Sequence, residues 1–189
     1  SLGLQGEVSR TVLFGQEREF SSVFPTVTGI KAERTSERIA LDQYSVPASS
    51  LGFVHENSID AEEHEFGFTA MILRREGHTN EINKFTDAYR HAGGRQTQIG
   101  LSLSDTWNPA GGWNLFAALK GEWFHDDEGI RRGWKTSNGE FSIREDFEVG
   151  GSFDISKAFS ETIAARASLR SHVRQPTLNE LYRPYRVGA

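Results

Sequence analysis

The chain contains no cysteine in its 189 residues. That excludes a disulfide framework and any thiolate metal site. It contains no run approaching the roughly 18 apolar residues of a membrane helix, which leaves open a membrane barrel, whose strands are apolar on one face only. It has no basic excess: 21 Lys and Arg stand against 26 Asp and Glu, a formal net charge of -5. Nucleic-acid binding finds no support there. It carries no Gly-rich phosphate loop and no G-x-S-x-G elbow. Its six histidines, at 55, 64, 78, 91, 125 and 172, show no paired metal-ligand spacing. It has neither an initiator Met nor a signal peptide, and both ends fall beside strand-like sequence. The expectation is an internal piece of a longer protein.

What the chain does have is period two. From Glu161 onward, Ile163, Ala165, Ala167, Leu169, Ser171 and Val173 alternate with Ala164, Arg166, Ser168, Arg170, His172 and Arg174. Strand side chains point to opposite faces in turn, so this reads as one strand with an apolar and a basic face. A helix would spread the apolar positions around its cylinder. Pro176 ends the ladder by removing a backbone donor.

Similar alternation, imperfect in places, marks strands over 6–24, 49–59, 64–76, 95–107, 113–124 and 139–156. The count is about seven. Asn108-Pro109-Ala110-Gly111-Gly112 is a tight turn by residue type. Short connections (60–63, 108–112, 157–160) alternate with long polar ones (25–45, 77–94, 125–138 and from 175 on). Short turns at one end and long loops at the other describe an outer-membrane barrel, with periplasmic turns and extracellular loops. Each strand reaches the 9–11 residues that cross a bilayer obliquely. Residues 31–38 could alternatively form a short solvated helix.

The second half of the last stretch resembles a segment of TonB-dependent outer-membrane receptors, where a barrel strand runs into a pattern like R-x-P-T-L-N-E-L-Y-R-P. Arg174, Pro176, Thr177, Leu178, Asn179, Glu180, Leu181, Tyr182, Arg183 and Pro184 match it without a gap. The DQYSVP and AGGRQ stretches and the strand spacing are similar to the same family. The resemblance implies an all-β, antiparallel transmembrane barrel segment in the bacterial outer membrane. Residues 1–189 would be part of a larger barrel whose natural parent has 22 strands and a plugged lumen. The plug domain, the segment contacting the TonB energy-coupling protein and the closing strands would lie outside this sequence. The implied function is energised uptake of a scarce nutrient, a ferric siderophore or cobalamin, with no catalysis and no resident cofactor. Expected partners are outer-membrane lipid, the protein's own plug and a small-molecule or metal-chelate ligand.

A charge on the lipid face at mid-bilayer costs about 2–4 kcal/mol. Arg144, Asp146, Glu148, Arg166, Arg170, His172 and Arg174, with Lys120 and Glu122, are therefore expected in the lumen. There they either meet ligand or plug, or pair with one another across strands; Asp154 is a further candidate partner. Asp105 and Glu145 are the exceptions on the apolar side and belong near an interface. Trp107 and Trp113 suit one aromatic girdle and Trp123 the other. His125-Asp126-Asp127-Glu128 is oxygen-rich but lacks the spacing of a calcium loop, and reads as a solvated loop. Two other readings stand beside the transporter. One is a soluble antiparallel sandwich or lipocalin-like binding module with its apolar faces inward. The other is an outer-membrane lipolytic enzyme whose serine and histidine meet only in space.

Overall fold

The computed structural model describes residues 4–28, 36–134 and 138–183. Eight strands form one antiparallel sheet: β1 (Leu4–Thr28), β2 (Ser36–Ala61), β3 (His64–Asn83), β4 (Ala88–Trp107), β5 (Trp113–Arg132), β6 (Gly139–Glu140), β7 (Arg144–Ala158) and β8 (Ala164–Ser171). One short helix follows among the described residues, α1 (Leu178–Tyr182). The strands pair in chain order, with the two-residue β6 lying beside β5 just beyond β7. The sheet is open, and β1 and β8 are its edges.

The register sorts the side chains into two faces. Leu13, Phe53, Ile72, Ile99, Trp123 and Phe147 form one continuous cross-strand row. Phe68, Leu103 and Leu119 share the same face, as do Phe66, Asp105, Ala117, Phe153 and Leu169. The other face carries Glu56, Thr69, Ser102, Lys120 and Gly150 in one row, and Gln98, Phe124 and Asp146 in another.

Burial is inverted relative to a water-soluble domain. Leu101, Leu119, Phe147 and Leu169 are 54, 60, 63 and 73% exposed, whereas Gln96, Gln98, Glu122, Asp126 and Asp154 are buried. No second layer covers the apolar face among the described residues. No helix there is long and apolar enough to cross a membrane, which says nothing about strands.

The apolar face is banded along the strands. It runs from the row of Trp107, His64 and Leu115 to the row of Ile99 and Trp123. Eight residue spacings at about 3.4 Å each give roughly 27 Å along the strand. The lower margin is aromatic: the His64 ring stacks on Phe66 and Trp107 at 5.4 and 5.8 Å. Asp105, the acid inside the band, lies 3.0 Å from His64 Nδ1. Glu145, beyond the upper margin, pairs with His125 at 3.1 Å.

Beyond the band the structure departs from the expected loops. Residues 77–94 are not a long loop: β3 continues to Asn83, β4 starts at Ala88, and four residues join them. β5 likewise runs through 125–132, and β2 begins at Ser36. Residues 36–38 are strand, and the rest of the 31–38 helix reading lies outside the described residues. The ladder persists because backbone pairing does not require an apolar face. Here both faces are polar, so the alternation that marks a half-buried strand disappears. His125-Asp126-Asp127-Glu128 is part of β5, with Glu128 at φ 53 in a bulge where Gly93 and Arg95 shift register. At the opposite end Gly111 and Gly112 adopt φ 85 and 77, as the tight turn after Trp107 requires. The expected strand over 139–156 is divided by residues 141–143 into β6 and β7, and β8 stops at Ser171, before Pro176.

Candidate functional site

Past β8 the chain turns back over the polar face. At five residues, α1 is too short to hold itself by propensity. Its caps do much of the work. The Thr177 hydroxyl accepts from the Glu180 amide, and the Glu180 carboxylate accepts from the Thr177 amide at 2.8 Å, a reciprocal capping box. Arg174 grips the same carboxylate through two bonds of 3.0 and 2.9 Å. These contacts, Arg174 foremost and then Thr177, hold the Glu180 carboxyl down to about 2.

The helix lies in a trench of small residues. Ala48, Gly77 and Gly94 follow one another across β2, β3 and β4, and Gly129 continues the line at the β5 bulge. The Leu178 methyl sits over Gly77, 3.7 Å from where a Cβ would stand. A Cβ on Gly94 or Gly129 would come within 2.5 or 2.3 Å of the Tyr182 ring, so both positions need glycine for that ring to seat. Tyr182 is buried, and Phe141 flanks it at 5.2 Å. Burial, then the nearby Asp126 and Asp127, raises the Tyr182 hydroxyl above its usual range.

Charge locks the helix C-terminus. Arg131 donates to the Tyr182 carbonyl at 2.6 Å, neutralising the exposed end of the helix dipole. Arg183 reaches Glu81 at 2.9 Å, and Arg90 approaches the other oxygen of the same carboxylate at 3.5 Å. Glu81 is only 2% exposed. Gln43 also sits against Glu81; with its amide turned over, its oxygen accepts from Arg183 at 2.7 Å. A buried acid with two guanidiniums is stable only as a set, since loss of one partner leaves an uncompensated charge.

Between α1 and the β1–β2 side of this face lies a cleft of about 510 Å³. Arg18 and Phe20 of β1, Val46 and Ala48 of β2, Arg75 and His78 of β3, and Leu178 and Arg183 of the returning segment line it.

The residues expected in the lumen fall on the polar face, but in a different part of it. Arg166 and Arg170 both pair with Asp154, at 2.8 and 3.5 Å, and Ser168 also donates to that carboxylate. Arg144 pairs with Asp146 at 3.3 Å, and Gln175 reaches the same acid. Glu148 lies opposite Glu122, whose carboxylate takes Lys120 at 2.8 Å and Gln98. His172 lies just past β8 and is exposed. Arg174 turns to Glu180 rather than to β7. Of the matching motif, Pro176 and Thr177 lead into α1, and Leu178, Asn179, Glu180, Leu181 and Tyr182 form it. Arg183 caps it, and Pro184 lies outside the described residues.

The acids of the oxygen-rich 125–128 run have protein partners, Asp126 at Gln96 and the other two at Arg95. Arg95 takes Asp127 and Glu128 at 2.6 and 2.7 Å. Among the described residues no three His, Asp or Glu are placed to hold a metal. The residues missed from sequence are Arg18, Arg75, Glu81, Gly94, Gly129 and Arg131, all in or beside stretches whose alternation fails. The Gly93-Gly94 pair and Gly129 were the available signal for close approach of another part of the chain. Compared with protein families, curated proteins and solved structures, the chain gives no match.

Proposed function

We propose that this chain is barrel wall of a TonB-dependent receptor in the bacterial outer membrane, serving energised uptake of a small scarce nutrient. The observation that carries the reading is the inverted burial. One face presents a band of Leu, Ile, Phe, Val and Trp to its surroundings, and the other gathers Glu81, Gln96, Glu122, Asp126 and Asp154. Tilted by about 40° as strands are in such barrels, a band of roughly 27 Å along the strand stands roughly 20 Å high, near their apolar height of about 25 Å. Hydrocarbon offers backbone groups no partners, so the edges β1 and β8 call for further strands of the parent. The motif from Arg174 to Pro184 supplies the family; the polar face is the lumen, and α1 is a piece of wall lining folded into it.

Leu101→Arg or Leu119→Arg in the complete protein should block assembly into detergent micelles or membranes. Ser102→Arg, one residue away on the polar face, should assemble. Equal tolerance of all three would count against the reading. A monomeric, cooperatively folded chain in plain buffer would favour the sandwich or lipocalin-like module, and that alternative then needs a second layer over the band. Lipid hydrolysis by the purified parent would favour the enzyme.

A further inference from the structure

We infer that the cleft beside α1 binds a small polycarboxylate anion, held between Arg18 and Arg75. The inference rests on the polar face being water-filled, as the reading above has it, and adds the charge and size of what enters.

Two guanidiniums in the cleft carry unmatched charge. Away from the cleft Arg166 and Arg170 meet Asp154, and Arg183, which does line the cleft, is matched by Glu81. The other two guanidiniums of the cleft are not matched in this way. Arg18 has no hydrogen bond or ion pair among the described residues, and Arg75 there has only the neutral Gln96 amide, at 3.5 Å. The acid that lines the cleft is Glu76, and its carboxylate is held by His78 at 3.2 Å. Its register puts it opposite Ser49 and Arg95, on the apolar-side face above the band. Glu81 already faces Arg183 and Arg90. The cleft therefore carries free positive charge, and no carboxylate there answers it.

The spacing suits one small ligand. Arg18 shares a row with Ala48 and Gly77, and Arg75 stands two residues along β3 from Gly77. Two strand spacings across and two residues along separate their Cα atoms by about 12 Å. Two such long side chains close most of that distance and leave room for a molecule with a carboxylate at each end. Each planar guanidinium can take a carboxylate through two parallel bonds. Ala48 and Gly77 leave the floor low between them, while Phe20, Val46 and Leu178 supply carbon contact. The volume, about 510 Å³, is that of a small-molecule site. Thr177, Leu178 and Asn179 close the far side, so α1 is a wall of the site as well as a lining of the sheet.

The test is calorimetric titration of the complete protein, purified in detergent, with citrate as probe and spermidine as the cationic control. Citrate should bind and spermidine should not. Arg18→Gln and Arg75→Gln should each weaken citrate binding about tenfold, and the double variant more. Arg10→Gln, on the same face outside the cleft, should bind as the parent does. Heat-modifiable gel mobility, read on each variant, reports the folded barrel. A protein that assembles in the membrane but gives no citrate heat, or binds citrate equally in the double variant, overturns this inference and leaves the barrel reading standing. Tighter binding of spermidine than of citrate also overturns it. Failure to assemble in membranes overturns the barrel reading instead.

Discussion

The band and the extension above it are the same sheet with the same ladder, yet they follow different rules. In the band, between the rows of Trp107 and Ile99, the two faces differ sharply in polarity. Above it, Arg95, Asp127 and Glu128 occupy the face that lower down holds Leu101 and Leu103. What holds the extension is therefore side-chain pairing on one face and the docked helix on the other. In the band the outward face carries one acid, Asp105, already paired with His64, among exposed apolar side chains. The strand pairing is continuous across the boundary, so the difference lies in the side chains and in what surrounds them.

Substitutions can break this comparison at each end. The largest effect is expected in the extension. Glu81→Ala strands Arg183 and Arg90 without their shared counter-charge, and should cost about 3–5 kcal/mol in denaturant unfolding. If the loss is below about 1 kcal/mol, the charge lock does not hold the extension. In the band, Leu103→Arg should cost about 2–4 kcal/mol in a bilayer refolding assay, since Leu103 sits away from both margins. The same change at Thr97, one row above Ile99, should be nearly silent, and equal costs would erase the boundary between the two regions.

A smaller change sharpens the role of α1. Thr177→Ala removes the N-cap and should loosen the helix by about 1 kcal/mol, read as faster protease cutting within 172–183 while the strands stay protected. The smallest effect is in pH. Glu180 is held down to about 2 in the folded helix against an ordinary 4.5. A depressed carboxyl contributes stability above its unfolded value and loses it as pH falls through the folded one. Amide protection factors in α1, corrected for intrinsic exchange, should therefore fall between about pH 4.5 and 2, and Arg174→Gln should flatten that profile.

The band was legible because burial on one face imposes period two. Ile99, Leu101, Leu103 and Trp107 alternate with Gln98, Gly100, Ser102 and Ser104, and the strand is found at that register. The extension was not legible in the same way. His78, Asn80 and His91 pair across β3 and β4 without an apolar partner, so nothing in their order distinguishes ladder from loop. Arg166 and Arg170 lie on the strand face opposite Leu169, and both meet Asp154 across the ladder. The cleft escaped notice because its parts, Arg18, Arg75 and Leu178, are far apart in the chain and meet through register and a returning helix. The motif was read without a helix in it, and the seat of α1 in the trench depends on Gly94 and Gly129, far earlier in the chain.

The trench beneath α1 has a consequence for how this sequence can drift. At Gly94 and Gly129 the constraint is on volume rather than on chemistry. One added methyl at Gly94 or Gly129 evicts an aromatic ring, and a wall of the neighbouring cavity leaves with it. The shape of the binding space is thus governed from beneath, by positions that would never touch what it holds.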